Sequence, residues 1–324
     1  MTPSSVRAFA PASVSNVCCG FDVFGFAIEG PGDTVTARPT AEDGVHIAAI
    51  RGAGGRLPTD PEKNTAGVAA RHLLEQAGAS HGSTRGVELE VDKDMPLSSG
   101  LGSSAASAVA AVVAVNTLFD LGADRETLLR CAIEGERAAC GTAHSDNAAP
   151  SLFGGFVMVR GAGASSAPVL RVDELPVPPE LYCAILRPRV AIDTRAARAA
   201  LEGEVPLSAA VAQWGNTAAF VAGLFRGDAD LLASALEDAV AEPVRTPLVP
   251  GFDAVKGAAL EAGAIGCGLS GSGPAVFALA FGAEEARGVG AAMAGALNRA
   301  MPESPAGDLW ISPVAAPGAR VLPP

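Results

Sequence analysis

Residues Pro96-Leu97-Ser98-Ser99-Gly100-Leu101-Gly102-Ser103-Ser104 place glycines and hydroxyls directly before an alanine-rich stretch that reads as a helix. Gly100 and Gly102 allow positive φ and close approach of a ligand to the backbone. Free N–H groups at a helix start, with the helix dipole behind them, form an anion site. Ser98, Ser99, Ser103 and Ser104 add donors and a candidate Mg²⁺ ligand, so phosphate suits the segment. Other readings compete. A P-loop requires GxxxxGK[ST], and no lysine is expected in or near this loop. Gly100, Gly102 and Ala105 also spell G-x-G-x-x-A. That dinucleotide fingerprint follows a continuously apolar buried strand, whereas Glu88 and Glu90 punctuate the strand expected here. An ordinary serine-capped helix start is the plainest alternative.

A second set of residues carries charge in telling places. Leu129, Ala132, Ile133 and Glu136 share one face of a predicted helix. A carboxylate on an apolar stripe is costly unless it is paired, protonated or bound to metal. Glu136 therefore reads either as a stripe-edge residue reaching solvent or an arginine, or as a metal ligand beside a phosphate chain. Arg198 lies on a predicted helix capped by Asp193 or Thr194, and Arg245 precedes a proline-rich turn. Alone, Arg198 reads as a solvated arginine; paired with Arg245 it reads differently, since guanidinium groups hold carboxylates in bidentate geometry. His144 sits in a Gly/Ser-rich loop, where a plain hydrogen-bonded role competes with a ligand contact.

These residues need elements to position them. The alternation pattern predicts strands over Val6–Ala10, Val23–Ile28, Thr34–Arg38 and Val45–Ile50, separated by Gly and Pro turn signals. Asn64 is placed to cap a helix running to about Gly78. Val87, Leu89 and Val91 alternate with glutamates as a half-buried strand. Helices are predicted from Ser103 to Leu121 and from Asp124 to Gly141, the latter glycine as the residue past the C-cap. The Gly/Ser/Pro-rich stretch 161–180 marks a domain boundary, giving units 1–160 and 161–324. Beyond it the pattern predicts a strand at Tyr182–Leu186, helices near 194–202, 207–226, 228–240 and 252–262, a strand at Ala275–Ala280, a helix at 283–300 and a strand near 309–314. Irregular alternation of strand and helix points to the α+β class.

Composition bounds the partners. The 324 residues are 49% hydrophobic and 18% charged, a globular composition. With one Tyr and few aromatics, an Ala/Val/Leu core held by close packing rather than ring stacking is expected. A formal net charge of −12 disfavours nucleic acid and anionic membrane as partners. No apolar run approaches the roughly 20 residues of a membrane span, and Met1 to Arg7 shows no secretory pattern. The six cysteines form no CxxC pair and read as reduced, buried residues of a cytoplasmic protein.

The loop does not stand alone. Pro96-Leu-Ser-Ser-Gly-Leu-Gly-Ser-Ser-Ala105 resembles the phosphate-binding motif of the GHMP kinases. Pro11-Ala-Ser-Val-Ser-Asn-Val-Cys-Cys-Gly-Phe-Asp-Val-Phe-Gly25 is similar to that family's first motif, and Gly266-Cys-Gly-Leu-Ser-Gly-Ser-Gly-Pro274 to its third. All three occur in family order across nearly the whole chain. Within the family, Glu134 to Asn147, Asp193 to Leu201 and Arg245-Thr-Pro-Leu-Val-Pro-Gly251 resemble the homoserine-phosphorylating members. Cys18-Cys19 departs from the Gly-Pro pair more usual in the first motif.

The resemblance implies a two-domain fold, with an N-terminal ribosomal-protein-S5-domain-2-like unit and a C-terminal ferredoxin-like split βαβ unit. It implies phosphoryl transfer from ATP to L-homoserine, a step of threonine biosynthesis, with Mg²⁺ as cofactor and a homodimer as assembly. It assigns Asn64 and residues Pro96, Leu97, Ser98, Ser99, Gly100, Leu101, Gly102, Ser103 and Ser104 to ATP, and Ser103 with Glu136 to the metal. Arg198 and Arg245 would contact the substrate carboxylate, and Asn16, Asp22, His144 and Asp146 its amino and hydroxyl sides. Thr194, Asp146 and Asn147 are candidates for orienting the hydroxyl. A loose phosphoryl-transfer transition state makes little demand on a strong base, so positioning and charge stabilisation carry the chemistry. A sugar or isoprenoid-alcohol kinase, or a nucleotide-binding regulator of the same fold without turnover, are the competing readings.

Overall fold

A computed structural model describes residues 3–81, 86–141, 144–161, 170–190, 201, 204–304 and 307–323. Two sheets organise them. The first contains β1 (Val6–Ser15), β2 (Phe24–Thr40), β3 (Val45–Arg51), β4 (Gly86–Lys93), β5 (Phe156–Arg160), β6 (Arg171–Leu175) and β11 (Arg320–Val321). Its main path runs β11-β1-β2-β4-β3, and β5 pairs with both β2 and β6. The second sheet, ordered β10-β7-β9-β8, comprises β7 (Leu181–Arg187), β8 (Gly266–Leu269), β9 (Val276–Phe281) and β10 (Asp308–Pro313). Its pairings are all antiparallel, with helices between β7 and β8 and between β9 and β10, which is the split βαβ arrangement. The α+β class holds.

Helices α1 (Thr65–His81), α2 (Ser103–Phe119), α3 (Arg125–Cys140) and α4 (Ser145–Phe153) belong to the first sheet. Helix α2 is apolar nearly all round and is accordingly buried between β1/β2 and its neighbours α1 and α3. Its alanines let the layers approach closely. Gly135 of α3 makes the crossing tighter still: a Cβ there would lie 2.5 Å from the Thr65 carbonyl and 3.3 Å from Ala108. The starts of α1 and the middles of α2 and α3 therefore meet beside Glu136. Helices α5 (Leu207–Arg226), α6 (Ala229–Ala235), α7 (Glu242–Arg245), α8 (Phe252–Glu261) and α9 (Ala283–Ala300) follow in the second half.

Several expectations change. The two strands expected either side of Gly30-Pro31-Gly32 are one strand, β2. Gly30, at φ 108°, lies in the stretch of β2 between Ala27 and Gly32 that is set off by a register shift between Pro11 and Ser13. Helix α4 was not anticipated, because Pro150 lies inside it. Proline leaves the Asp146 carbonyl without its helical N–H, and the bare Gly25 backbone packs there, where a Cβ would stand 2.0 Å from that oxygen. The helix expected over 228–240 is the short α6, since Asp238 instead accepts the N–H groups of Val240, Ala241 and Glu242. β6 pairs with β5, so the chain leaves the first sheet after Leu175. The helix expected near 194–202 falls almost wholly outside the described residues.

The core also departs from a ring-free picture. Phe24, Phe26, Phe156, Phe220 and Phe277 form a buried cluster with centroid separations of 5.5–6.4 Å. They come from β2, β5, α5 and β9, so rings join the two sheets. The backbone N–H of Glu29 also donates to Ser312 Oγ at 2.8 Å, and β11 pairs with β1. The cysteines Cys18, Cys19, Cys131, Cys183 and Cys267 are free and buried. No helix among the described residues is long and apolar enough to cross a membrane.

Candidate active site

The three glycine-rich motifs converge. Gly100 has φ 79°, and a Cβ on it would stand 2.7 Å from the Ser270 carbonyl and 2.8 Å from that of Gly273. Ser270 Oγ donates to the Gly100 carbonyl at 2.6 Å, and the Ala275 N–H to that of Ser99 at 3.2 Å. Loop 266–274 thus buttresses loop 96–104 through backbone contact. From the other side, the Ser13 N–H donates to the Leu101 carbonyl at 3.1 Å. Helix α2 begins at Gly102, which is left-handed at φ 67° and offers no capping side chain. Its first turn holds no acidic residue. Pro96 and Leu97 are half-buried, Ser98 is exposed with φ 53°, and Ser99, Leu101 and Ser103 are buried.

Asn147, on α4, lies across Gly102. Its Oδ1 accepts from Ser13 Oγ at 3.0 Å and its Nδ2 donates to Ser15 Oγ at 3.1 Å. A Cβ on residue 102 would stand 2.5 Å from Ser13 Oγ and 2.8 Å from Asn147 Oδ1, so the pair requires glycine. The preceding residue, Asp146, is buried, and its carboxyl is pushed up to about 6 by that burial and by the charge of Asp22, against His144 and a Ser15 hydrogen bond.

Beside the start of α2, Ser103 Oγ and Glu136 Oε1 are buried with no hydrogen-bond partner. Glu136 is 1% exposed, and its other oxygen lies 3.4 Å from His144 Nδ1. Leu129, Ala132 and Ile133 are buried with it, as the stripe pattern predicted. A hydroxyl and a carboxylate oxygen, both desolvated and without a partner, are hard donors of the kind that Mg²⁺ takes. The donor set therefore fits a divalent metal. Asn64 caps α1, accepting the Ala66 N–H at 3.0 Å while donating to the Pro58 carbonyl at 3.0 Å.

The first motif forms a loop between β1 and β2 with Asn16, Val17, Cys18 and Asp22 all at positive φ. For residues other than glycine this costs about 1–3 kcal/mol each, so the surroundings must hold the loop. Asn16 Oδ1 accepts the Asp22 N–H at 3.0 Å, and its Nδ2 donates to the Gly271 carbonyl at 3.0 Å. Arg245 Nη1 donates to the same carbonyl at 3.1 Å, and its guanidinium lies 5.2 Å from the Phe21 ring. Asn16, Asp22, Asp146 and Arg245 therefore share one region with the third motif. Thr194 and Arg198 lie outside the described residues.

Sequence reasoning missed a second tier. Lys93 Nζ is buried against Asp33, donates to the Ser103 carbonyl at 2.7 Å and lies 2.8 Å from Ser107 Oγ. The expectation that no lysine attends the loop is thus corrected: folding brings Lys93 to the root of α2. It is paired with a carboxylate rather than aimed into the loop, so the P-loop reading still fails. Being one of three lysines was the available signal. Ser13 and Ser15 stood inside the first motif, but nothing local tied them to Asn147. Gln213, Thr217 and Asp238 carried no signal.

Two family models match the chain: the GHMP kinases N terminal domain over residues 64–155 and the GHMP kinases C terminal domain over residues 220–299. The homoserine kinase of Chlorobium phaeobacteroides is 47% identical over 98% of this chain and 99% of its own. That of Chloroherpeton thalassium is 46% identical over the same shares. The crystal structure of homoserine kinase from Cytophaga hutchinsonii superposes with a TM-score of 0.92 at 46% identity, covering 99% of this chain and 98% of that one. Full-length similarity at this level, on a fold that brings the three motifs together, makes the chain a member of the GHMP kinases and, within them, of the homoserine kinases.

Proposed function

We propose that the chain transfers the γ-phosphate of ATP to the hydroxyl of L-homoserine, giving O-phospho-L-homoserine and ADP. The observation that carries this reading is the buried, partnerless pair Ser103 Oγ and Glu136 Oε1 at the open start of α2. A regulator without turnover has no need of such a pair.

Phosphates would lie over residues Ser98 to Ser104, where the α2 amides and dipole favour negative charge. Asn64 would sit by the adenine while capping α1. Ser103 and Glu136 would hold a Mg²⁺, whose positive charge would offset that of the phosphates when bound. Arg245, with Arg198, would take the substrate carboxylate, and Asp22, Asn16 and Asp146 its ammonium and hydroxyl sides, with His144 alongside. The hydroxyl oxygen attacks the γ-phosphorus in line. The new O–P bond forms as the bond to the β-phosphate oxygen breaks, and the hydroxyl proton passes to surrounding oxygens. Asp146, Asn147 and Thr194 would orient that hydroxyl. Asn147 does so indirectly, because both ends of its amide are occupied by Ser13 and Ser15.

Residues 1–160 would supply the nucleotide side and 161–324 the carboxylate clamp, with β6 and β11 crossing back to the first sheet. An acidic protein using ATP and a free amino acid belongs in the cytoplasm, in threonine biosynthesis, and a homodimer is the assembly its kinship favours. The deciding experiment is ADP release from Mg-ATP with L-homoserine, mevalonate or galactose. Turnover with homoserine alone supports the reading. Turnover with another alcohol keeps the kinase and overturns the substrate. Nucleotide binding without turnover moves the regulator to the front.

A further inference from the structure

The walls of the substrate region come from distant parts of the chain. One is the strained loop holding Asn16 and Asp22. The other is the turn at Asp238 that leads through α7 to Arg245. A small cavity lies between them, lined by Asn16, Cys18, Asp238, Glu242, Arg245 and Gly271. One side chain grips both walls. Gln213, on α5, is 8% exposed; its Nε2 donates to the Cys18 carbonyl at 3.3 Å, and its Oε1 accepts the Ala239 N–H at 2.9 Å. Each end of the amide is spent, one per wall.

The elements around it reinforce this. Thr217, one turn along α5, donates its hydroxyl to the Cys19 carbonyl, 2.6 Å away, shared with the Gln213 carbonyl at 2.7 Å. Asp238 accepts three successive N–H groups, fixing the turn that Ala239 occupies. The gripped loop has positive φ at Asn16, Val17 and Cys18, so it holds that shape only while its carbonyls are fixed. Val17 is β-branched and strongly disfavoured there.

We infer that Gln213 is a positioning residue for the reaction: a strut that sets the separation of the wall carrying Asn16 and Asp22 from the wall carrying Arg245. That separation decides which amino alcohol spans the pocket with its carboxylate and ammonium both satisfied. The inference rests on the substrate reading above, in which these walls hold the two charged ends of homoserine.

The test uses Q213M, which keeps side-chain length and removes both hydrogen bonds, and Q213E, which keeps the acceptor for Ala239 and loses the donor to Cys18. Q213M is expected to raise the homoserine KM roughly 10-fold, the scale of one or two lost hydrogen bonds, with the ATP KM within about twofold. The preference in kcat/KM for homoserine over its homologue one methylene longer should fall at least about fivefold, because a methylene is discriminated only by a fixed pocket. Q213E should raise the homoserine KM at least as much as Q213M, because its carboxylate oxygen would face the Cys18 carbonyl. A homoserine KM that stays unchanged, or that rises with the preference intact, overturns the strut. Thermal unfolding identifies a Q213M protein that has not folded, and Q213E then decides on the same criteria. R245K separates this from failure of the pocket reading. If R245K raises the homoserine KM selectively while the Gln213 variants do not, the strut alone is wrong. If R245K leaves that KM unchanged, the pocket assignment itself is wrong.

Discussion

Asn16 and Arg245 donate to the same acceptor, the Gly271 carbonyl, at 3.0 and 3.1 Å. They are separated by more than 200 residues of sequence, yet one backbone oxygen of the third motif sets both. Residues that share a partner are not energetically independent. The double variant N16A/R245A should therefore lose less kcat/KM for homoserine than the sum of the single losses, by about 1 kcal/mol. Steady-state kinetics on the four proteins of the cycle check this. Strict additivity would show that Gly271 does not couple them.

Glu136 is the next test. Replacement by alanine should lower turnover by roughly 100-fold or more, the scale of lost electrostatic stabilisation at a transferring phosphoryl group. The fold should persist or tighten, because a buried carboxylate oxygen without a partner is removed. Turnover as a function of Mg²⁺ concentration, together with thermal unfolding, reads both effects. Near-normal turnover would remove Glu136 from the metal site.

A pH dependence follows from Asp146. Burial, then the Asp22 charge, raises its carboxyl from the ordinary 3.8 to about 6. Ionised Asp146 attracts an ammonium; the protonated form does not. At saturating ATP, the homoserine KM should climb as pH falls through about 6, and the Asp146→Asn variant should lack that rise. Stability moves the other way. A carboxyl whose folded pKa is raised costs nothing below about 4, and its ionisation lowers stability progressively as pH rises to about 6. The full cost is roughly 3 kcal/mol above that. Denaturant unfolding of Asp146→Asn against the parent should show a difference that grows between pH 4 and 6 and then levels.

Lys93 gives a stability test. Its ion pair with Asp33 is fully buried, and Lys93→Met would strand that carboxylate beside Ser107. The expected loss is about 3–5 kcal/mol in denaturant unfolding. Much of it should return in the double variant with Asp33→Leu, which removes the stranded charge. No recovery would mean that the lysine acts through its Ser103 and Ser107 contacts rather than through Asp33.

Local chemistry was legible in the sequence. The capping of α1 by Asn64 and of α3 by Asp124, the alternation of β4 and the buried stripe leading to Glu136 are written in adjacent residues, and the structure has them. The partners of those residues were not. Asn147 depends on Ser13 and Ser15, more than a hundred positions away, and Gln213 on Cys18. Such pairings follow from the order of strands and helices, which no window of the chain contains. Pro150 and the pair Gly30 and Gly32 misled for a related reason. Each breaks regular structure in isolation, and each is tolerated here, Pro150 because Gly25 fills the gap it leaves and the glycines because the ladder with β1 shifts register beside them. The rings misled by their scarcity: few aromatics need not be scattered, and five of them gather where the sheets meet.

The pairing of β11 with β1 has a consequence for biosynthesis. Ala8 and Phe9 face Val321 and Arg320 in that ladder. On the ribosome, β1 emerges hundreds of residues before its outer neighbour. Throughout that interval the first sheet presents an uncovered edge, a template for wrong pairing with other nascent chains. A strand made late thus closes a sheet begun early.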